Sequence, residues 1–203
     1  MPGYPLTESA AGRWHRVAAA LGLRMLLANM AVGVLAGLAV AHLRLGLGLP
    51  GHKLLLWMTP VVVARLLARH PLGAAAGALS AAGVSLGFGG NFAGNVLLLP
   101  LVVVAGALID GCVAFADRRR LPVLLRVPLV GVAGMTAGLV CAMKRLLVPV
   151  VHTHALFGLA DLPARMVSYA VFGLVAGLVG ATVAVAIQTL MRRGRSVLPT
   201  QGP

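Results

Sequence analysis

Acidic residues are nearly absent. The chain has 203 residues, and only Glu8, Asp110, Asp117 and Asp161 carry a carboxylate, against 17 Lys and Arg. So few acids argue against paired-carboxylate catalysis, which needs two such groups in one pocket. Charge of either sign is scarce, at 10% of residues, where a soluble domain carries about 25%. Cysteine is limited to Cys112 and Cys141. Both lie inside apolar segments, which excludes a disulfide framework and reads as small buried side chains. A GxxxxGK-S/T phosphate loop is missing, as are HExxH and CxxC, so the chain does not hydrolyse ATP in the P-loop manner. Gly87–Gly94, GFGGNFAG, does not match GxGxxG, and no serine–histidine–carboxylate set stands out. The expectation is that the chain is not an enzyme and carries no cofactor.

What fills the chain is hydrocarbon. Hydrophobic residues make up 60% and mean hydropathy is +0.97. Such a chain cannot cover itself with polar surface, so the bilayer is its solvent. The formal net charge of +13 does not indicate nucleic acid. The cations cluster at the ends of apolar segments, where the positive-inside rule places them and where anionic lipid headgroups can meet them.

Six apolar segments follow one another: Leu23–Leu43, Leu54–Ala68, Leu72–Leu86, Val96–Ala116, Val127–Val148 and Met166–Met191. The expected fold is all-α, a polytopic bundle of six transmembrane helices. Residues 1–21 are expected to be a cytosolic lead-in without a cleavable signal, 22–191 the membrane domain and 192–203 a cytosolic tail. Segment two is short and holds Pro60 and Arg65, so a kink is expected there. Pro71 is expected to open segment three. An inside N-terminus leaves only Arg44, Lys53, Lys144, Arg145 and Arg165 of the 17 cations outside, which favours N-in and C-in.

Gly-x-x-Ala-Gly-x-x-x-Ala occurs four times, starting at Gly33, Gly73, Gly134 and Gly173. Small residues four apart share a helix face and let backbones approach. With 26 glycines such matches also arise from composition alone. Segments one and five continue alike, Leu-x-x-Ala-x-x-Arg-Leu at 38–45 and 139–146, which hints at a parallel internal repeat.

The polar candidates concentrate between the last two segments. Lys144, Arg145 and Arg165 form a cationic rim for an anionic or polar ligand, with Asp161 orienting one cation; snorkelling side chains would look the same. His152 and His154 flank Thr153, and with His52 they could make a three-imidazole metal site or simply face solvent. Asn91 and Asn95 flank a glycine loop and serve either as ligand contacts or as turn residues. Arg65 and Asp110 would each be costly alone in hydrocarbon, so they are expected to pair or to line a subunit interface.

These features together resemble the substrate-binding (S) components of energy-coupling factor transporters. The likeness rests on six short spans, a first outer loop LGLGLPGHK and a last span beginning near SYAVFGLVAGLVGA. It implies a high-affinity binder of a vitamin or related micronutrient in a bacterial cell membrane, with an outward pocket. Carried onto this sequence, the pocket would comprise Asn91, Asn95, Lys144, Arg145, His152, His154, Asp161 and Arg165, with His52 on a gating loop. The resemblance implies a transmembrane coupling protein and two ABC-type ATPases as partners. It implies docking through Gly33, Gly37 and Ala41. Met1 is followed by Pro2-Gly3, unlike the Met-His of the nickel/cobalt branch. The rival reading is a scaffold or assembly subunit, similar in texture to cell-shape machinery, holding a partner through the small faces and Arg65/Asp110.

Overall fold

The computed structural model of the chain describes residues 10–43, 49–88, 99–143 and 162–196, with backbone alone at 10–18 and 194–196. Among the described residues every regular element is helical. Six helices run in order: α1 (Ala10–His42), α2 (Lys53–Ala68), α3 (Gly73–Gly87), α4 (Leu99–Arg118), α5 (Val123–Ala142) and α6 (Leu162–Ser196). α1 reaches back into the stretch expected as a lead-in, and α6 runs past the expected span at both ends. α5 starts four residues before Val127 because Pro122 is its N-cap, so Arg126 lies in its first turn. Leu72, not Pro71, is the N-cap of α3.

Among the described residues four stretches are long and apolar enough to cross a membrane: Ala19–His42, Leu99–Arg118, Val123–Ala142 and Leu162–Arg193. α2 and α3 are shorter, with 16 and 15 residues, or about 24 and 22 Å at 1.5 Å per residue.

Cross-links between helices fix their directions. α2 and α6 run parallel: Thr59 Oγ1 reaches the Ala176 carbonyl at 3.5 Å, and Gln188 Nε2 donates to the Leu66 carbonyl at 3.1 Å. α5 runs against α6, with Gly134 on Gly173 and Gly138 on Tyr169. α1 runs alongside α3 in the same sense, with Gly33 on Gly77 and Gly37 on Ala81. The bundle is therefore up-and-down, and α1 begins at the end where α6 finishes.

α2 packs against α1, α3 and α6 and touches α4. Trp57, Met58, Val61 and Val62 are all sealed, which is what an all-round apolar helix requires. α1, α3, α4 and α5 follow one another around it, and α6 closes against α5 and α2. Neighbours on nearly every side spare α2 the need to match the hydrocarbon thickness itself.

The four Gly-x-x-Ala-Gly repeats pair off inside the bundle. Those of α1 and α3 meet each other, as do those of α5 and α6. A Cβ on Gly33, Gly134 or Gly138 would fall into a carbonyl oxygen of the facing helix, and one on Gly37 would lie 2.5 Å from the Ala81 oxygen. Lipid supplies no hydrophobic drive for helix association, so close backbone packing carries these contacts. The face expected to dock a partner protein through Gly33 and Gly37 is thus filled by α3 of the same chain, with Ala41 half-buried further along. Outward-facing apolar residues are large instead: Leu23, Leu27, Leu35, Leu108 and Val167 are exposed, as lipid contact demands.

Replacing Gly37 or Gly134 with Leu should destabilise the protein by about 1–3 kcal/mol or more, because backbone must move. Gly83→Ala, with nothing within 4 Å of the added carbon, should leave the melting temperature unchanged or slightly higher. Melting in detergent checks both; equal losses at all three sites would contradict the packing assignment.

Candidate functional site

α3 begins just after the exposed Leu72, and its first two residues, Gly73 and Ala74, are buried. Its first N–H groups have no partner within the helix, and in hydrocarbon each would cost several kcal/mol if left bare. Asp110 on α4 meets them: Oδ1 accepts from the Ala74 N–H at 3.1 Å and Oδ2 from the Ala75 N–H at 2.9 Å. The carboxylate also sits on the positive end of the helix dipole. Its charge is balanced by Arg65 of α2, whose Nε donates to Oδ1 at 2.5 Å. Arg65 is 2% exposed and Asp110 4%.

Two glycines make the room. Gly106, one turn before Asp110, lies so close to α3 that an added Cβ would be 2.7 Å from the Ala74 oxygen and the Ala75 Cα. That approach brings α4 near enough for Asp110 to reach the amides. A Cβ on Gly73 would sit 2.9 Å from Asn29 Oδ1 and 3.0 Å from Arg65 Cδ. Asn29 on α1 is therefore a member of the cluster that sequence reasoning missed. Its signal was present: Asn29, Gly33 and Gly37 are four apart and share the face that meets α3. Asn29 donates Nδ2 to the Met25 carbonyl at 2.8 Å. Its Oδ1 and the Nη1 of Arg65 are buried without a hydrogen-bond partner among the described residues. One cluster thus ties α1, α2, α3 and α4 together.

The end of α2 is treated in the same way. Its last carbonyls have no intrahelical partner, and Gln188 of α6 covers that of Leu66. Arg69 then turns the chain at φ 54, its N–H bonded to the Arg65 carbonyl. The short α2–α3 hairpin is accordingly held by side chains of α4 and α6. The expected pairing of Arg65 with Asp110 is realised within the chain, in place of a subunit interface.

The opposite end holds the other candidates. His52 precedes α2, and its Nδ1 contacts the Leu49 carbonyl. The carbonyl can only accept, so Nδ1 is the donor in that contact. Ser168 of α6 donates to the Pro50 carbonyl at 2.6 Å. Gly51 adopts φ +86, and an added Cβ would lie 3.1 Å from Tyr169; both facts call for glycine there. The chain entering α2 is thereby clamped onto the first turns of α6, so His52 and the half-buried Arg165 belong to the same end of the bundle. Asn91, Asn95, Lys144, Arg145, His152, His154 and Asp161 lie outside the described residues. Among the described residues, no three His, Cys, Asp or Glu side chains gather for a metal ion.

The two regions differ chemically. The Arg65–Asp110 cluster is closed to solute and acts on the fold. The His52/Arg165 end carries half-buried polar side chains. No protein-family model, curated protein or solved structure matches the chain.

Losing one member of a buried ion pair strands the other, at about 3–5 kcal/mol. Arg65→Met and Asp110→Asn should each lower stability on that scale, and the double variant should lose clearly less than the sum. Thermal melting of the four proteins in one detergent gives the coupling. Additive losses would mean that the two charges do not sense each other.

Proposed function

We propose that the chain is the membrane-embedded, substrate-binding subunit of an ATP-driven uptake transporter of the energy-coupling factor type, in a bacterial plasma membrane. All six helices cross the membrane in this reading. The start of α1 and the end of α6 face inward, because Arg24, Arg69, Arg118, Arg119, Arg120 and Arg192 sit at that end. α2 and α3 cross despite their length because α2 is enclosed and their junction is supported by Gln188 and Asp110.

One observation carries the reading. The clamp of Pro50 and Gly51 on Ser168 and Tyr169 joins His52 and Arg165 at the end opposite the arginines. α3 and α5 finish at that end and α4 and α6 begin there; in sequence, Asn91 and Asn95 fall between α3 and α4, and Lys144, Arg145, His152, His154 and Asp161 between α5 and α6. A small polar or anionic micronutrient is captured there from outside. Lys144, Arg145 and Arg165 receive its anionic group, Asp161 orients one of them, and the histidines and asparagines supply hydrogen bonds. No bond is made or broken in this chain. ATP is hydrolysed by two partner ATPases acting through a coupling protein. The small faces and the Arg65–Asp110 pair are used within the bundle. This removes the docking face expected in the transporter and scaffold readings alike, so the coupling protein docks on another face in this proposal.

A panel of vitamins and their precursors, screened by melting of the purified protein, tests the proposal. A true ligand at about 1,000-fold over its dissociation constant stabilises by about 4 kcal/mol. That shift should disappear in Arg165→Ala and Arg145→Ala. No shift with any compound in a folded sample would refute the binding role. Ni²⁺ and Co²⁺ in the same panel check the nickel/cobalt alternative.

A further inference from the structure

The turn between α4 and α5 carries three successive exposed arginines, Arg118, Arg119 and Arg120. Among the described residues no ion pair engages them. The two carboxylates among the described residues are both engaged, Asp110 by Arg65 and Asp117 by Arg126, the latter at 2.5 Å. Topology signals alone would explain cations here, but three further features go beyond them.

The first is backbone. Leu121 N–H bonds to the Ala116 carbonyl and Arg120 N–H to that of Asp117, which is a Schellman ending with Arg120 in the left-handed position at φ 50. Glycine is the usual residue there. A chain with 26 glycines accepts the cost of a side chain at this position and places a guanidinium on it. The second is a stack. The Arg119 guanidinium lies 5.8 Å from the centre of the Phe115 ring, a cation–π arrangement that holds the charge against α4. The third is the apolar track below. Val104, Leu108, Gly111, Phe115 and Arg119 recur at helical spacing on one outward face of α4. All are exposed, and nothing lies within 4 Å of a carbon added at Gly111. The track is therefore an open apolar face with a gap in its side-chain cover at Gly111, and it ends at the arginines.

We propose that this face is a binding site for an anionic phospholipid. The phosphate is held by Arg118, Arg119 and Arg120, and one acyl chain lies along Val104, Leu108, Gly111 and Phe115. Charge complementarity selects the headgroup: guanidinium forks match phosphate oxygens, and phosphatidylcholine carries a compensating cation that these arginines repel. The site depends on α4 spanning the membrane and is independent of the transport role.

Native mass spectrometry of the purified protein, offered equal phosphatidylglycerol and phosphatidylcholine, tests this. Each arginine near an anionic headgroup contributes about fivefold, so retained phosphatidylglycerol should exceed phosphatidylcholine by about tenfold or more. The ratio should approach one in R118Q/R119Q/R120Q and remain high in Arg192→Gln, an exposed cation at the same end of the bundle. Should the triple variant fail to fold, Gly111→Leu fills the gap on this face at an open position and should lower the ratio by itself. A wild-type ratio near one, a preference that survives the triple substitution, or an equal loss in Arg192→Gln would overturn the proposal. So would displacement of the lipid by inorganic phosphate at equal concentration, which would identify a free anion as the ligand.

Discussion

The Asp110 carboxylate is the contact on which the interior of this bundle depends. A helix of 15 residues whose first two residues are buried needs partners for the N–H groups of its first turn. One carboxylate answers two of those donors and the helix dipole at once. It cannot be placed there uncharged-balanced at small cost, since an isolated buried ion costs several kcal/mol even after relaxation. Arg65 supplies the opposite charge from α2, and the ion pair therefore aligns three helices. Its net contribution is small by comparison with the cost of breaking it. Its effect is to fix register: apolar surfaces in lipid can slide, whereas Asp110 satisfies both amides only where α4 stands now.

Glycine sets the geometry that this contact needs. Gly106 admits α4 to α3, and Gly73 leaves space for Asn29 and Arg65. The same device joins α1 to α3 and α5 to α6, through repeats that sit backbone to backbone. α2 then lies between these two pairs, tied to α6 by Gln188, Thr59 and the Ser168–Pro50 bond. Hydrogen bonds to backbone carbonyls at both ends of α2 make its position specific where apolar packing would leave it free to shift.

Much of this was visible in the sequence, though unevenly. The apolar segments predicted the helices to within a few residues at most ends, because length and hydropathy govern them locally. The glycine repeats marked which faces approach closely, and Arg65 and Asp110 were recognisable as partners because a lone charge in hydrocarbon is so unfavourable. Which faces meet was not legible. Gly33 and Gly37 look the same whether they meet α3 or another protein, since the pattern encodes a flat face and not its occupant. The capping of α3 by Asp110 was hidden because it depends on α4 lying across the start of α3, a tertiary fact. Asn29 and Gln188 were overlooked as single polar residues in apolar helices, although each extends a small-residue face. The binding reading of His52 and Arg165 rests on polar residues whose spacing carries no diagnostic motif, so sequence could only assign them to one end.

The central claim is that Asp110 holds the buried start of α3. Amide hydrogen exchange at Ala74 and Ala75, compared between the wild-type protein and Asp110→Ala, tests it most directly. The account predicts slow exchange at both amides in the wild type. In the variant they should exchange much faster, while the α5–α6 contact around Gly134 and Gly173 keeps its protection. Unchanged exchange at Ala74 and Ala75, or equal loss of protection throughout the bundle, would contradict it.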